Sequence, residues 1–132
     1  MRINLVKSSE DNKENYQNIP ISTEGIQNIP DSVCMEMSLD HVIDHMTDDD
    51  FLIVLKKIRH NGVIEIRGVD APEVFRKVSI GLLGFANSLP LLSGKVRLTS
   101  SGSVRSILEG LGFITEVNAL QDSFYYIKAK RP

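Results

Sequence analysis

The chain has 132 residues, of which 42% are hydrophobic and 24% charged, a balance that excludes wholesale disorder and fibrous architectures. Its 15 Lys and Arg against 17 Asp and Glu leave a net charge of −2, so phosphate neutralisation has little to draw on and nucleic acid is an unlikely partner. The longest apolar stretch, Ile80 to Ala86, is far too short for a membrane span, which makes a membrane partner unexpected. The amino terminus turns polar at Lys7 without the pattern of a secretory signal, and the expected compartment is the cytoplasm. Cys34 stands alone between apolar neighbours, which excludes an internal disulfide and reads as a buried thiol.

In chain order, Arg2 to Val6 reads as a short strand, and Lys7 to Asn15, with no apolar residue, as a solvated loop. Lys7, Ser8 and Ser9 could form a cationic turn for an anion, but no helical pattern follows to add its dipole, so an exposed loop is the simpler reading. Tyr16 to Ile21 alternates like a second strand, Pro20 and Pro30 bracket a turn-rich stretch, and Val33 to Ser38 is a third strand candidate. Thr47 before Asp48, Asp49 and Asp50 supplies an N-cap and acidic first turn, predicting a helix that runs through His60 to a left-handed stop at Asn61-Gly62. Val63 to Val69 reads as a strand, and Asp70-Ala71-Pro72-Glu73 caps a second helix ending near Gly81. Gly84, Pro90 and Gly94 interrupt residues 82–100, which read equally as a broken helix or a packed loop. A third helix follows from Ser101 to Gly110, capped by Ser101 or Ser103 and ended by Gly112, with Val104, Ile107, Leu108 and Leu111 on one face. Phe113 to Ala119 and Phe124 to Lys130 are β-rich runs close enough for an antiparallel hairpin, with Tyr125 and Tyr126 on opposite faces. No boundary divides the chain, so residues 1–132 read as one α/β domain with a mainly parallel sheet and an antiparallel final strand.

Ser32-Val33-Cys34-Met35-Glu36-Met37-Ser38-Leu39-Asp40-His41-Val42-Ile43-Asp44-His45 resembles the fourth-strand region of small S-adenosylmethionine-dependent methyltransferases. The resemblance continues through Leu55 to Ile58, Asn61 to Ile66, Asp70, Leu108 to Phe113 and the closing Tyr126 to Pro132, nearly the whole chain. It implies a reduced Rossmann-like methyltransferase fold with helices on both faces, in which the Phe124 to Lys130 strand inserts antiparallel beside Val63 to Val69 and leaves Phe113 to Ala119 at the edge. Val33 to Met37 and Val63 to Val69 would be adjacent parallel strands, their near-continuous hydrophobicity suiting a sheet covered on both sides. With only eleven residues from Ser22 to Ser32, the family's third strand and its helix should be missing.

The amino-terminal portion departs from the family's chemistry. Where members carry Asn-Leu-Gly-x-Gly, Asn4-Leu5 is followed by Val6, Lys7 and Ser8, and Pro20 stands where an acidic residue would receive the ribose hydroxyls. The resemblance implies S-adenosylmethionine as cofactor, with Asp40, His41, Val6 and Lys7 as the residues nearest it, and the missing glycines imply weak or absent affinity. Residues 12–18 are the segment best placed to take over lost contacts. The leading function is therefore a methyltransferase-like protein with degraded cofactor binding, its methyl acceptor unnamed by the sequence. The alternative is a non-catalytic binding or assembly module. A minor alternative is a metal-dependent hydrolase: His41 and His45, four apart, would share one face of a helix and spell His-x-x-Asp-His. Against it, no persuasive third ligand follows. The exposed edge left by the missing strand favours a homodimer.

Overall fold

A computed structural model describes all residues from Met1 to Pro132. Six strands form one sheet: β1 (Arg2–Val6), β2 (Gln17–Pro20), β3 (Cys34–Asp40), β4 (Ile58–Val69), β5 (Ile114–Gln121) and β6 (Phe124–Lys130). Their spatial order is β2-β1-β3-β4-β6-β5, parallel from β2 to β4 and antiparallel from β4 onwards. The predicted neighbours are thus in place: β3 beside β4, and β6 inserted between β4 and β5. A family third strand is absent, and the link from β2 to β3 carries only the five-residue helix α1 (Thr23–Gln27).

Four further helices complete the fold: α2 (Asp48–Lys57), α3 (Ala71–Ser79), α4 (Phe85–Leu92) and α5 (Ser101–Gly110). Thr47 caps α2 by accepting from the Asp50 amide at 3.1 Å, with three aspartates in the first turn, as its sequence predicts. The expected continuation to His60 fails because Ile58 pairs with Cys34 and already belongs to β4. The last carbonyls of α2 find partners elsewhere: Lys56 and Lys57 accept from the amides of Ser32 and Val33. Asn61 does adopt the left-handed conformation, at φ 66°, but it does so in a bulged stretch of β4, where its amide and the Gly62 carbonyl are bonded to Arg131. Helix α5 is capped by Ser100, one residue before Ser101 and three before Ser103, the expected caps, with Ser103 completing a reciprocal capping pair, and Gly112 at φ 89° ends it. Val104 and Leu108 are buried, but Leu111 lies beyond the last helical turn and is exposed. Residues 82–100 resolve into α4 and an irregular return through a turn at Gly94 to Thr99, which bridges to Asp70.

Register sorts the strand residues into two faces. On one, Ile3, Met37, Ile64 and Ala129 make a row across four strands, and Leu5, Leu39, Ile66 and Ile127 make the next. These residues join Ile26 and Ile29, Phe51, Val54 and Leu55 of α2, and Val104 and Leu108 of α5 in one buried cluster. On the other face the matching row reads Asn4, Ser38, Glu65 and Lys128, followed by Asp40, Arg67 and Tyr126. No residue of that face joins the cluster. The strands therefore contribute to one apolar cluster, and the second face is mixed. On it Asn4, Val6, Ser38 and Val69 are buried, while Glu36, Glu65, Arg67 and Lys128 are half-buried, so Ile64-Glu65-Ile66-Arg67 alternates rather than running continuously apolar. Cover on the polar face includes the loop after β1, with a single 3-10 turn at Ser9–Asp11.

Candidate functional site

The chain leaves β1 toward β2 on one side, and β3 lies on the other, so the strand order reverses at the carboxyl ends of β1 and β3. Doubly wound sheets bind ligands at such a point. A cleft of about 360 Å³ opens there, lined by Asn4, Leu5, Glu10 to Lys13, Asp40 and His41.

Two of the four predicted site residues line it. Asp40 ends β3 with its carboxylate partly exposed, and His41 follows in the left-handed region at φ 57°. A non-glycine residue there carries a backbone cost of order 1–3 kcal/mol, which persists only where the surroundings fix it. They do so here: the His41 amide donates to the Arg67 carbonyl at 2.9 Å, and its ring meets Phe124 edge-on with centroids 5.7 Å apart. The imidazole Nε2 lies 3.6 Å from Asp40 Oδ1 at the cleft mouth. Val6 and Lys7 are placed differently. Val6 is buried and its carbonyl accepts from Ile21, and Lys7 is exposed; neither lines the cleft. The positive charge of Lys7 instead reaches His45, whose pKa is lowered first by burial and then by that charge.

The cleft floor joins Asn4 of β1 and Asn18 of β2 to Asp11 and Lys13, which lie in the stretch whose sequence reads as solvated loop. Asn18 Oδ1 accepts from Asn4 Nδ2 and from the Lys13 amide, both at 2.9 Å, and Asn18 Nδ2 donates to the carbonyls of Lys13 and Tyr16 at 3.1 Å. Asn4 Nδ2 also donates to the Asp11 carbonyl at 3.1 Å. This network fixes the amide orientations and ties the loop to β1 and β2. It also aims Lys13 inward, where Nζ donates to Ser38 Oγ at 2.7 Å and stands 3.8 Å from Asp40 Oδ2. One polar atom is left over: Asn4 Oδ1 is buried and has no partner. The sequence carried a signal for this, since Asn4 interrupts an otherwise apolar strand end, and a buried polar group requires a partner.

His41 and His45 do not share a helix face. His41 sits in the left-handed bend after β3 while His45 ends the 3-10 segment Ile43–His45, and no group of three His, Cys, Asp or Glu side chains is positioned for a metal ion. The two-histidine hydrolase arrangement is not formed. Cys34 is fully buried, donates to the Glu36 carbonyl at 3.0 Å and has its thiol pKa pushed up by burial, which leaves it unactivated.

No protein-family model and no curated protein matches the chain. Solved structures do. A methyltransferase described as S-adenosylmethionine-dependent from Archaeoglobus fulgidus aligns with 98% of this chain and 75% of its own, at 12% identity and a TM-score of 0.62. An S-adenosylmethionine-dependent methyltransferase from Thermotoga maritima, described as a possible histamine N-methyltransferase, aligns with 100% of this chain and 73% of its own, at 13% identity and a TM-score of 0.64. An O-methyltransferase family protein from Burkholderia thailandensis aligns with 98% of this chain but 42% of its own, at 9% identity and a TM-score of 0.63. The chain has a methyltransferase-like, Rossmann-type fold. At these identities the likeness concerns the fold, and the chemistry has to be argued from the cleft.

S-adenosylmethionine joins an amino-acid zwitterion and a sulfonium to adenosine. Its amino-acid end finds two complementary groups here: the part-exposed Asp40 carboxylate can accept hydrogen bonds and Lys13 can face a carboxylate, whereas Asn4 Oδ1 is buried out of a ligand's reach. Its nucleoside end does not. Leu5 is the one hydrophobic residue in the cleft lining, and β2 ends at Pro20, which offers no acid to a ribose. The lining fits half of the cofactor.

Proposed function

We propose that this methyltransferase-like chain is a non-catalytic binding or assembly module whose crevice recognises an amino-acid-like zwitterion, and that it does not by itself carry out methyl transfer from S-adenosylmethionine. The observation that supports this most is Lys13. Its ammonium is fixed at the floor of the crevice by the loop network and the Ser38 bond, in a cleft with little apolar wall. A second cation brought to about 4 Å would meet a repulsion between roughly 1 and 4 kcal/mol, depending on how much water screens it. Asp40 offsets part of that for an ammonium hydrogen-bonded directly to it, but a sulfonium donates no hydrogen bond. The roles within the crevice follow: Asp40 accepts, Lys13 receives an anionic group, and the Asn4–Asn18 pair holds the loop that carries Lys13.

A competing reading, an active methyltransferase whose residues 12–18 have taken over the cofactor contacts, is favoured by the presence of Asn12 and Lys13 in the lining. Titration calorimetry of the full chain with methionine, S-adenosylhomocysteine and S-adenosylmethionine separates the two. Our reading expects weak isotherms for all three, within about tenfold of one another, because the nucleoside finds no partner and each 1.4 kcal/mol is a factor of ten. S-adenosylmethionine binding a hundredfold tighter than methionine would refute it and favour the enzyme.

A further inference from the structure

Helix α4 contains no buried residue, although most of it is apolar. Phe85 and Leu89, one turn apart, are 83% and 65% exposed, and Leu82 in the preceding turn is 69% exposed. Phe75, Ile80 and Val96 extend the exposed apolar surface to either side. Between Lys77 and Lys95 there is no ionisable residue, in a chain that is 24% charged. The six side chains together expose on the order of 700 Å², above the largest apolar patch usual on a monomer and close to the roughly 800 Å² that each partner contributes to a standard protein interface.

The ends of this arm are held firmly. Asp70 at its base accepts from the Glu73 amide of α3 at 3.2 Å and from the Ser101 amide of α5 at 2.8 Å. At the return, buried Asp44 accepts from Lys95 Nζ at 2.7 Å and Thr99 Oγ1 at 2.6 Å, and its carbonyl receives the amides of Val96 and Arg97. The flanking cations are engaged as well: Arg76 with Glu73, Lys95 with Asp44, Arg97 with Asp48, and Lys77 donating to Ser123. An anionic lipid surface would find little free positive charge beside the patch. A second copy of the same patch would meet it with no like charges opposed and with its shape already fixed.

We propose that α4 and the turn before it form the centre of a two-fold symmetric interface between two copies of this chain. The inference goes beyond the reading of the crevice and does not depend on it. It also relocates the expected homodimer contact, since the β2 edge is only four residues long and ends at Pro20, a poor template for strand pairing.

Sedimentation equilibrium of the full chain from 1 to 100 μM tests it, with Phe85→Glu/Leu89→Glu as the interface variant. We expect a dimer with a micromolar dissociation constant, weakened at least a hundredfold in the variant, whose circular dichroism should stay unchanged because neither side chain is buried in the protomer. Ser88→Cys gives a second readout: with Cys34 fully buried, mild oxidation should link two copies through position 88 alone. A monomer at 100 μM would overturn the proposal, as would a dimer that survives both glutamates or fails to cross-link at position 88. Flotation of a monomeric wild-type chain with anionic phospholipid vesicles, lost in the glutamate variant, would assign the patch to membrane and also overturn it.

Discussion

The two faces of this one sheet are built on different physical terms. On the helix side, β1, β3, β4 and β6 present Ile3, Leu5, Met37, Leu39, Ile64, Ile66 and Ile127 to α1, α2 and α5, and stability comes from water-excluding burial. On the opposite side the same strands carry a ladder of polar pairs. Arg2 Nε lies 3.1 Å from Glu36 Oε2, Tyr16 donates to Glu36 at 3.2 Å, Tyr126 donates to Glu65 at 2.9 Å, and the Arg67 guanidinium sits 4.5 Å from the Tyr126 ring centroid. Most of these groups are partly exposed, where water competes for the same bonds and each contact is worth little. The comparison shows that one sheet can carry an apolar face and a mixed one: where cover is partial, Glu36, Glu65, Arg67 and Lys128 take positions that tolerate water, and the apolar cluster stays on the other face.

Neighbouring residues of β4 give the sharpest test of that contrast. Ile66→Ala, which empties the middle of the core row, should cost about 2–5 kcal/mol in urea unfolding, whereas Glu65→Ala on the other face should cost less than about 1 kcal/mol. Comparable losses at the two positions would mean that the second face is a core after all.

Gly68 offers a smaller effect on the helix side. A Cβ there would lie 2.7 Å from the hydroxyl of Tyr125, a buried ring bonded to Thr99 at 2.8 Å, with its own pKa pushed up by burial. Gly68→Ala should destabilise by about 1–3 kcal/mol through displacement of that ring. Because that Cβ would also lie 2.9 Å from the ring carbon bearing the hydroxyl, Tyr125→Leu in the same background, and not Tyr125→Phe, should relieve the loss. On the polar face, Asn4→Ala removes the bonds from β1 to the loop carbonyl of Asp11 and to Asn18 of β2, and about 1–2 kcal/mol should go with them. Amide exchange ought to accelerate at Lys13, whose N–H is bonded to Asn18, while that of Ile66 keeps its relative protection.

The smallest expected effect is a pH dependence where β3 runs into the 3-10 turn. Burial, with help from Lys7, lowers the His45 pKa below its unfolded value, so the unfolded chain binds a proton more readily. Stability from this group is fully present above pH 6.5 and declines as pH falls through the unfolded and then the folded pKa. His45→Gln should flatten the stability profile between pH 7 and pH 5.5, above the range in which Asp31, lowered by its bond to Lys57, begins to titrate. An unchanged profile would assign the dependence to another group.

Much of the fold was legible because local chemistry and topology agreed. The Thr47 cap, the Asp70-Ala71-Pro72-Glu73 start, Gly112 as a stop and the short link between the last two strands each impose a local conformation, and the structure contains all four. The cleft was only half legible. Asp40 and His41 could be placed because they follow a strand at the reversal of strand order, but Glu10 to Lys13 read as solvated. A loop residue's partner depends on what the rest of the chain folds beneath it, and Lys13 is drawn inward by Ser38, twenty-five residues away.

What the sequence determined by itself was the strands, the starts of α2 and α3, the helix over α5, their order and the polar substitutions in the amino-terminal loop, since caps, β-rich runs and missing glycines act through the residue and its near neighbours. Helices α1 and α4 were not fixed by it. Tertiary structure decided where α2 gives way to β4, which sheet face is apolar and where Lys13 points. Each of those outcomes is a pairing between distant segments: Ile58 with Cys34, Ile66 with Leu39 and Ile127, and Lys13 with Ser38 and Asp40. Competition between a helical bond and a strand bond at Ile58, or between water and Ser38 at Lys13, is settled only when the partner arrives.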